Sequence, residues 1–112
     1  MIYLCISTVG AADAPELARR LVEERLAACV NILPGARSIY RWQGRVCDEE
    51  EAVLLMKTSP RTVGGFEERF RELHPYDCPE LLIVPIEEGL KEYLAWVDEM
   101  TTPPHRPRGE GP

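Results

Sequence analysis

Apolar residues along the chain follow two spacings, one typical of strands and one typical of helices. Residues 2–9 (IYLCISTV) and 81–86 (LLIVPI) are short apolar runs rich in β-branched residues, so each predicts a buried strand. Three other stretches repeat apolar residues every three or four positions, which predicts helices with one buried face. Their apolar stripes are Leu17, Leu21, Val22 and Leu26; Val63, Phe66, Phe70 and Leu73; and Leu90, Tyr93, Leu94, Val97 and Met100.

Capping residues indicate where two of these helices begin and end. Asp13 is a candidate N-cap, Pro15 fits the first turn, and Glu16 lies three residues after Asp13, as in a capping box. The second helix is predicted to start at Ser59-Pro60 and to stop at Pro75, because proline interrupts helical hydrogen bonding.

Residues 28–58 predict two long strands joined as a hairpin. Pro34-Gly35 indicates a bend in the first strand, and Gln43-Gly44 a two-residue turn. The run Glu49-Glu50-Glu51 is interpreted as a solvated strand face in preference to a cation site. The turn places the following residues opposite each other: Trp42 and Arg45, Tyr40 and Cys47, Arg37 and Glu50.

The order strand, helix, strand, strand, helix, strand, helix predicts an α+β fold of the ferredoxin-like, split βαβ type. An antiparallel sheet would carry two helices on one face, with a third helix added at the C-terminal end. Hairpin strands of about fifteen residues exceed the usual ~5–6, so the distal hairpin would protrude. Because an uncovered ribbon favours further strand pairing, we expect it to be covered by other copies of the chain in a closed ring.

Composition and charge narrow the classes of partner. A length of 112 residues indicates one domain, assigned to residues 1–102, and the Pro- and Gly-rich tail 103–112 is predicted to be disordered. The net charge of −6 argues against nucleic acid and against anionic membrane surfaces as partners. The N-terminal apolar run has no basic lead and no run reaches transmembrane length, so a cytoplasmic location is expected.

The segment 72–80 (ELHPYDCPE) concentrates the candidate chemistry. Pro75 and Pro79 forbid a helix there, so His74 and Cys78 do not share a helix face. Three interpretations remain: a soft metal site, a Cys-His nucleophile, and a rigid corner that aims the chain into the last strand and can also line an intersubunit cleft. The rigid corner is favoured. The residues that could complete a copper or zinc site in space are Cys5, Cys29 and Glu80.

Several segments, in the same order, resemble the CutA divalent-cation tolerance family from about Ile2 to Val97. The resemblance implies a tight homotrimer whose long hairpins pair between subunits, and similarity to the trimeric PII signalling proteins, which bind small ligands in clefts between subunits. It implies no catalytic residues. The matching segments are ERLAACVNILPG (24–35), SIYRWQGRV (38–46), LLMKT (54–58), HPYDCPE (74–80) and YLAWV (93–97).

The resemblance also implies metal ligands. The family's proposed sites use a cysteine of the first strand, a histidine beside the helix end and a nearby acid, which correspond here to Cys5, His74 and Glu80. Cys78 is added as a fourth candidate ligand, although it stands, like Cys47, where other members often have no thiol. Leu73 occupies the place of a second histidine found in some bacterial members. Cys29 matches the family pattern and is explained adequately as a small buried thiol.

Three functions follow as hypotheses. The leading one is a non-enzymatic homotrimer that binds copper or another divalent cation in metal tolerance and requires no cofactor. The alternative is a PII-like regulator with a small anion or metabolite in its intersubunit cleft, although cross-strand pairing explains the same side chains more simply. A hydrolase is least supported, since no activated nucleophile can be assembled. The candidate cleft residues are Arg37, Tyr40, Arg41, Trp42 and Lys57.

Overall fold

A computed structural model describes residues 2–59 and 63–102, which form four strands and three helices. The strands make one sheet in the order β2-β3-β1-β4, and each neighbouring pair is antiparallel. This topology confirms the ferredoxin-like prediction. In chain order the elements are β1 (Ile2–Val9), α1 (Ala14–Glu23), β2 (Cys29–Trp42), β3 (Arg45–Thr58), α2 (Val63–Leu73), β4 (Leu82–Ile86) and α3 (Lys91–Thr101).

Helices α1 and α2 cover one face of the sheet, as predicted. Cys5 and Val9 lie on the side of β1 that faces this layer. They belong to the same buried cluster as Leu21 of α1 and Phe66 and Phe70 of α2. All five are at most 1% exposed. Full burial of one such apolar side chain is worth roughly 1.5–3 kcal/mol, so this layer is the main source of stability.

The opposite face of the sheet is largely uncovered by helices in one chain. The register places Leu4 beside Val84, and Ile6 beside Leu82 and Leu55, all on the side away from Cys5. Leu82 remains 55% exposed and Val84 41% exposed. These five residues form an apolar surface, called here the open face. Exposed apolar surfaces of this kind mark interaction sites.

Helix α3 closes one end of the sheet. Its Val97 is buried with Ile2 and Ala28, and Thr101 donates a hydrogen bond to the backbone oxygen of Val97 at 2.9 Å. Among the described residues, no helix is both long and apolar enough to cross a membrane.

The hairpin of β2 and β3 has the predicted register, including the pairing of Trp42 with Arg45 and Tyr40 with Cys47. Gln43 and Gly44 at its tip have φ values of 49° and 78°, which the tight two-residue turn requires. The bend at 34–35 is a break in register between Leu33 and Ala36. The hairpin makes the molecule elongated, with extents of 57 × 33 × 21 Å.

Local details of the chain depart from the sequence predictions. Asp13 has near-helical backbone angles, and its side chain makes no capping hydrogen bond, so the predicted capping box does not form. Strand β4 begins at Leu82, one residue later than expected. The predicted helix start at Pro60 and the predicted disordered tail 103–112 lie outside the described residues.

Candidate functional site

A groove of about 710 Å³ lies between the distal hairpin and the corner that follows α2. The two parts are far apart in sequence and correspond to SIYRWQGRV and HPYDCPE, with the adjoining acidic residues. Thr8, near the end of β1, also lines the groove. On the hairpin side the lining residues are Ser38, Ile39, Tyr40, Trp42, Glu49 and Glu51. On the corner side they are Pro75, Tyr76, Asp77, Cys78 and Glu80.

The imidazole of His74 holds the corner in place. Helix α2 ends as the His74 backbone N–H donates to the carbonyl of Phe70 at 2.9 Å. The His74 Nδ1 accepts the backbone N–H of Tyr76 at 3.1 Å, and Nε2 lies 2.8 Å from the carbonyl oxygen of Thr8. Since Nδ1 is an acceptor, the proton of the neutral ring is on Nε2, which donates to Thr8. Both nitrogens are therefore engaged, and the ring is only 5% exposed.

A separate hydrogen bond joins the corner to the hairpin. The Tyr76 hydroxyl donates to Glu51 Oε2 at 2.7 Å. Burial, followed by this hydrogen bond, raises the pKa of Tyr76 to about 12, so the phenol is a donor at neutral pH. Glu49 and Glu50 are exposed, as the interpretation of the run as a solvated face requires, but Glu51 is only 6% exposed and contradicts it at that position.

On the hairpin the polar side chains pair across the strands. Arg37 makes a two-pronged ion pair with Asp48, at 2.9 Å from Nε to Oδ1 and 2.7 Å from Nη2 to Oδ2. The hydroxyl of Tyr40 donates to Glu49, and this hydrogen bond raises the pKa of the phenol. The diagonal Arg37–Asp48 pair replaces the direct contact with Glu50 suggested by the register.

Negative charge dominates the groove. The lining includes the carboxylates of Glu49, Glu51, Asp77 and Glu80, and none of the described lining residues is basic. Low-dielectric walls concentrate the field of such a cluster. The groove therefore favours cations over anions.

The four predicted metal ligands are divided between two environments. Cys78 and Glu80 are exposed and line the groove. Cys5 is fully buried in the helix-side core, where burial and then Glu67 raise the pKa of its thiol to about 11. His74 is occupied as described above. In the described ranges of a single chain, no three His, Cys, Asp or Glu side chains are grouped to hold a metal ion.

The predicted cleft residues are also divided. Tyr40 and Trp42 line the groove, whereas Arg37, Arg41 and Lys57 are absent from its lining. The Lys57 ammonium donates to the side-chain oxygen of Asn31 on β2.

Sequence reasoning did not predict the hydrogen bond between Tyr76 and Glu51, which joins the two sides of the groove. It also missed the groove carboxylates Glu49 and Asp77. For the carboxylates of the hairpin side, the local signal in the sequence was the run of three glutamates. Glu49 and Glu51 are two positions apart in β3, so their side chains lie on the same side of the strand.

Residues 2–100 match the family described as CutA1 divalent ion tolerance protein. The chain belongs to this family. The match includes both sides of the groove, and the resemblance inferred from the sequence is thereby confirmed.

Individual CutA proteins show how far the similarity extends. A divalent-cation tolerance protein CutA of Thermus thermophilus is 53% identical over 88 residues, which are 79% of this chain and 85% of the relative. The mouse protein CutA is 42% identical over 79% of this chain, and the match spans only 50% of the mouse protein. Most of the chain is therefore common to bacterial and animal CutA proteins.

Solved CutA structures support the fold independently. A Thermus thermophilus CutA structure superposes with a TM-score of 0.86 at 48% identity, covering 91% of this chain and 100% of the other. A Nostoc structure, described as a PII-like protein CutA in apo form, gives a TM-score of 0.85 at 36% identity, with 89% and 97% covered. The fold is thus that of CutA and PII-like proteins.

Proposed function

We propose that the protein is a non-enzymatic homotrimer that serves divalent-cation tolerance by binding metal ions, copper among them, in the groove. The acidic lining carries this proposal: four carboxylates and the Cys78 thiol face the groove, and no described lining residue is basic. Oxygen and sulfur donors of these types are ligands for hard and soft metal ions respectively. Membership of the CutA1 divalent ion tolerance family supports the same function.

Cys78 and Glu80 are the proposed first ligands, because both are exposed at the groove. One chain does not gather three donors among its described residues, so we assign the remaining positions to water or a second subunit. Cys5 and His74, also predicted as ligands, would have to leave the core and the Thr8 carbonyl before joining the site.

The absence of enzymatic activity is proposed from the state of the only described histidine. A thiol nucleophile needs a free base beside it. Both ring nitrogens of His74 already make hydrogen bonds, so the ring has no free acceptor for a proton from Cys78.

Association through the open face explains why so much apolar surface is left on the sheet. Closed rings of identical copies are a common way to cover such a surface. Strand edges at β2 and β4 are also unpaired within the described chain. Both features support the homotrimer that the family resemblance implies.

Calorimetric titration with copper under reducing, anaerobic conditions tests metal binding. Saturable binding at about micromolar Kd is expected. Cys78→Ser and Glu80→Gln should each weaken it about tenfold or more, while Cys47→Ser serves as the control, because Cys47 does not line the groove. Unchanged affinity in both groove variants, or no saturable heat, would contradict the proposal.

A second candidate function is supported by the size and aromatic content of the groove. A volume of about 710 Å³ lies within the range of small-molecule pockets, ~300–1,000 Å³. Tyr40, Trp42 and Tyr76 contribute aromatic side chains to its lining. A PII-like regulator that holds a small molecule there is therefore the alternative function.

A further inference from the structure

We propose that the groove binds an organic polycation of the polyamine class, an aliphatic chain with two or more ammonium groups. The inference rests on the second candidate function, that the groove receives a small molecule, and it names the chemistry of that molecule. It differs from the small anion that the alternative hypothesis from the sequence included. The groove's buried carboxylate, its aromatic walls and the absence of cationic residues from its described lining carry it.

The buried carboxylate is that of Glu51, which is only 6% exposed. Its Oε2 accepts a hydrogen bond from Tyr76, but Oε1 has no donor among the described residues. No described side-chain oxygen or nitrogen is both fully buried and unpartnered. The Oε1 atom must therefore keep solvent contact, and because Glu51 lines the groove we assign that contact to the groove.

Glu51 also lacks a counter-charge. No ion pair joins it to an arginine, lysine or histidine in the described part of the chain. A carboxylate this deeply buried is costly unless it is paired. An ammonium group bound at Oε1 would supply the missing charge and hydrogen-bond donor.

Aromatic rings distinguish an organic cation from a bare metal ion. Tyr40, Trp42 and Tyr76 line the groove, and each is between 39% and 46% exposed. An ammonium group over the face of such a ring is attracted to its π electrons, whereas the ring supplies no donor atom to a metal. The methylene segments of a polyamine would pack against the same rings and Ile39.

The other carboxylates of the groove are the reason for proposing a ligand with more than one positive charge. Glu49, Asp77 and Glu80 line the groove together with Glu51. Of the basic side chains considered for an anion, Arg37 binds Asp48 and Lys57 binds Asn31. The third, Arg41, does not line the groove. A phosphate-bearing ligand would therefore meet repulsion that no described lining residue compensates.

Spermidine is the probe for this inference, and Trp42 is the reporter. The sequence has two tryptophans, so Trp96→Phe leaves Trp42 as the only indole. Titration of this full-length variant at about 0.15 M salt should give a saturable change in fluorescence, which calorimetry on the unmodified protein should reproduce. Magnesium chloride and ADP, titrated in parallel, should not reproduce the change.

Matched variants locate the binding. Glu51→Gln keeps an acceptor for Tyr76 but removes the charge, so spermidine affinity should fall about tenfold or more. Glu99→Gln, an exposed change on α3, should leave affinity unchanged. Should Glu51→Gln fail to fold, Trp42→Leu at an exposed position, followed by calorimetry, should weaken binding several-fold.

Three results would overturn the inference: no saturation by about 1 mM spermidine, an equal response to magnesium, or a response that neither Glu51→Gln nor Trp42→Leu weakens. Copper titration and sedimentation of the same sample separate this failure from that of the proposed function. A trimer that binds copper but not spermidine refutes the polyamine alone, whereas loss of copper binding or of the trimer counts against the proposed function itself.

Discussion

At the residue scale, His74 shows why a suggestive motif was hard to interpret from sequence. The sequence places an imidazole and a thiol four positions apart. The imidazole instead contacts the carbonyl of Thr8, which is 66 residues away in the chain. Pro75 and Pro79, which both follow His74, correctly predicted a non-helical corner, but nothing local identified the distant carbonyl that holds the ring.

Thiol reactivity tests the different environments of two predicted metal ligands, Cys5 and Cys78. Cys5 is fully buried and its thiol pKa is raised to about 11, while Cys78 is exposed. At about pH 8 the thiolate fraction of Cys5 is roughly a hundredfold below that of a thiol with the ordinary pKa, and burial slows it further. Iodoacetamide labelling with peptide mass mapping should modify Cys78 first and Cys5 only after denaturation.

Urea provides the control for that experiment. In denaturant both cysteines should react at similar rates, because the environment that protects Cys5 is lost. The raised pKa also predicts that protection of Cys5 is complete below about pH 9 and declines as the pH rises towards 11. Native labelling of Cys5 as fast as that of Cys78 would show that the first strand is accessible.

At the element scale, the hairpin was predictable because its determinants are local. The Gln43-Gly44 turn sets which residues face each other from the pair Ala36–Glu51 to the tip, and the break in register between Leu33 and Ala36 shifts the pairing beyond it by one residue. The Asp13 cap was also a local inference and failed, since the backbone at Asp13 is already near-helical and its side chain makes no capping hydrogen bond. Composition at a helix start favours a cap without requiring one.

Two glycine substitutions test the turn against a matched control. Gly44 has φ of 78°, so Gly44→Ala places a side chain in the left-handed region and should destabilise the protein by about 1 kcal/mol. Gly65 lies within α2 with open space around its missing side chain, so Gly65→Ala should stabilise by about 0.5–1 kcal/mol. Urea unfolding gives both values.

Hydrogen exchange locates the effect of the turn substitution. Gly44→Ala should speed amide exchange in residues 38–48 and leave β1 protected, because the distal hairpin is far from the helix-side core. Equal stability changes of the same sign in the two variants would contradict the assignment of the turn.

Neither strand pattern nor helix pattern indicated that the corner would meet the hairpin. The contact between Tyr76 and Glu51 joins residues 25 positions apart, and its existence depends on the direction in which α2 returns across the sheet. For that reason the groove's aromatic residues on the hairpin were found from sequence, but its buried carboxylate was interpreted as solvated. Tertiary packing, which the local sequence pattern does not show, determines that the Glu51 carboxylate is buried.

At the scale of the whole molecule, one sheet has two very different faces. The helix side contains the fully buried core, whereas the open face keeps Leu82 and Val84 substantially exposed. A single chain can therefore fold around one face and associate through the other. Length and strand pattern predicted the need for such a partner, since a hairpin this long exceeds what two short helices can cover.

A pair of identical substitutions at equal exposure separates association from folding. Val84 on the open face and Val22 on α1 are each 41% exposed in one chain. If the open face mediates assembly, Val84→Glu buries a carboxylate in the interface and should shift sedimentation from trimer to monomer, while Val22→Glu should leave the trimer intact. Circular dichroism should remain that of a folded chain in both variants, because neither change enters the helix-side core.

A trimer that survives Val84→Glu at micromolar dilution would place the contact between copies elsewhere. The unpaired edges of β2 and β4 would then be the next surfaces to test.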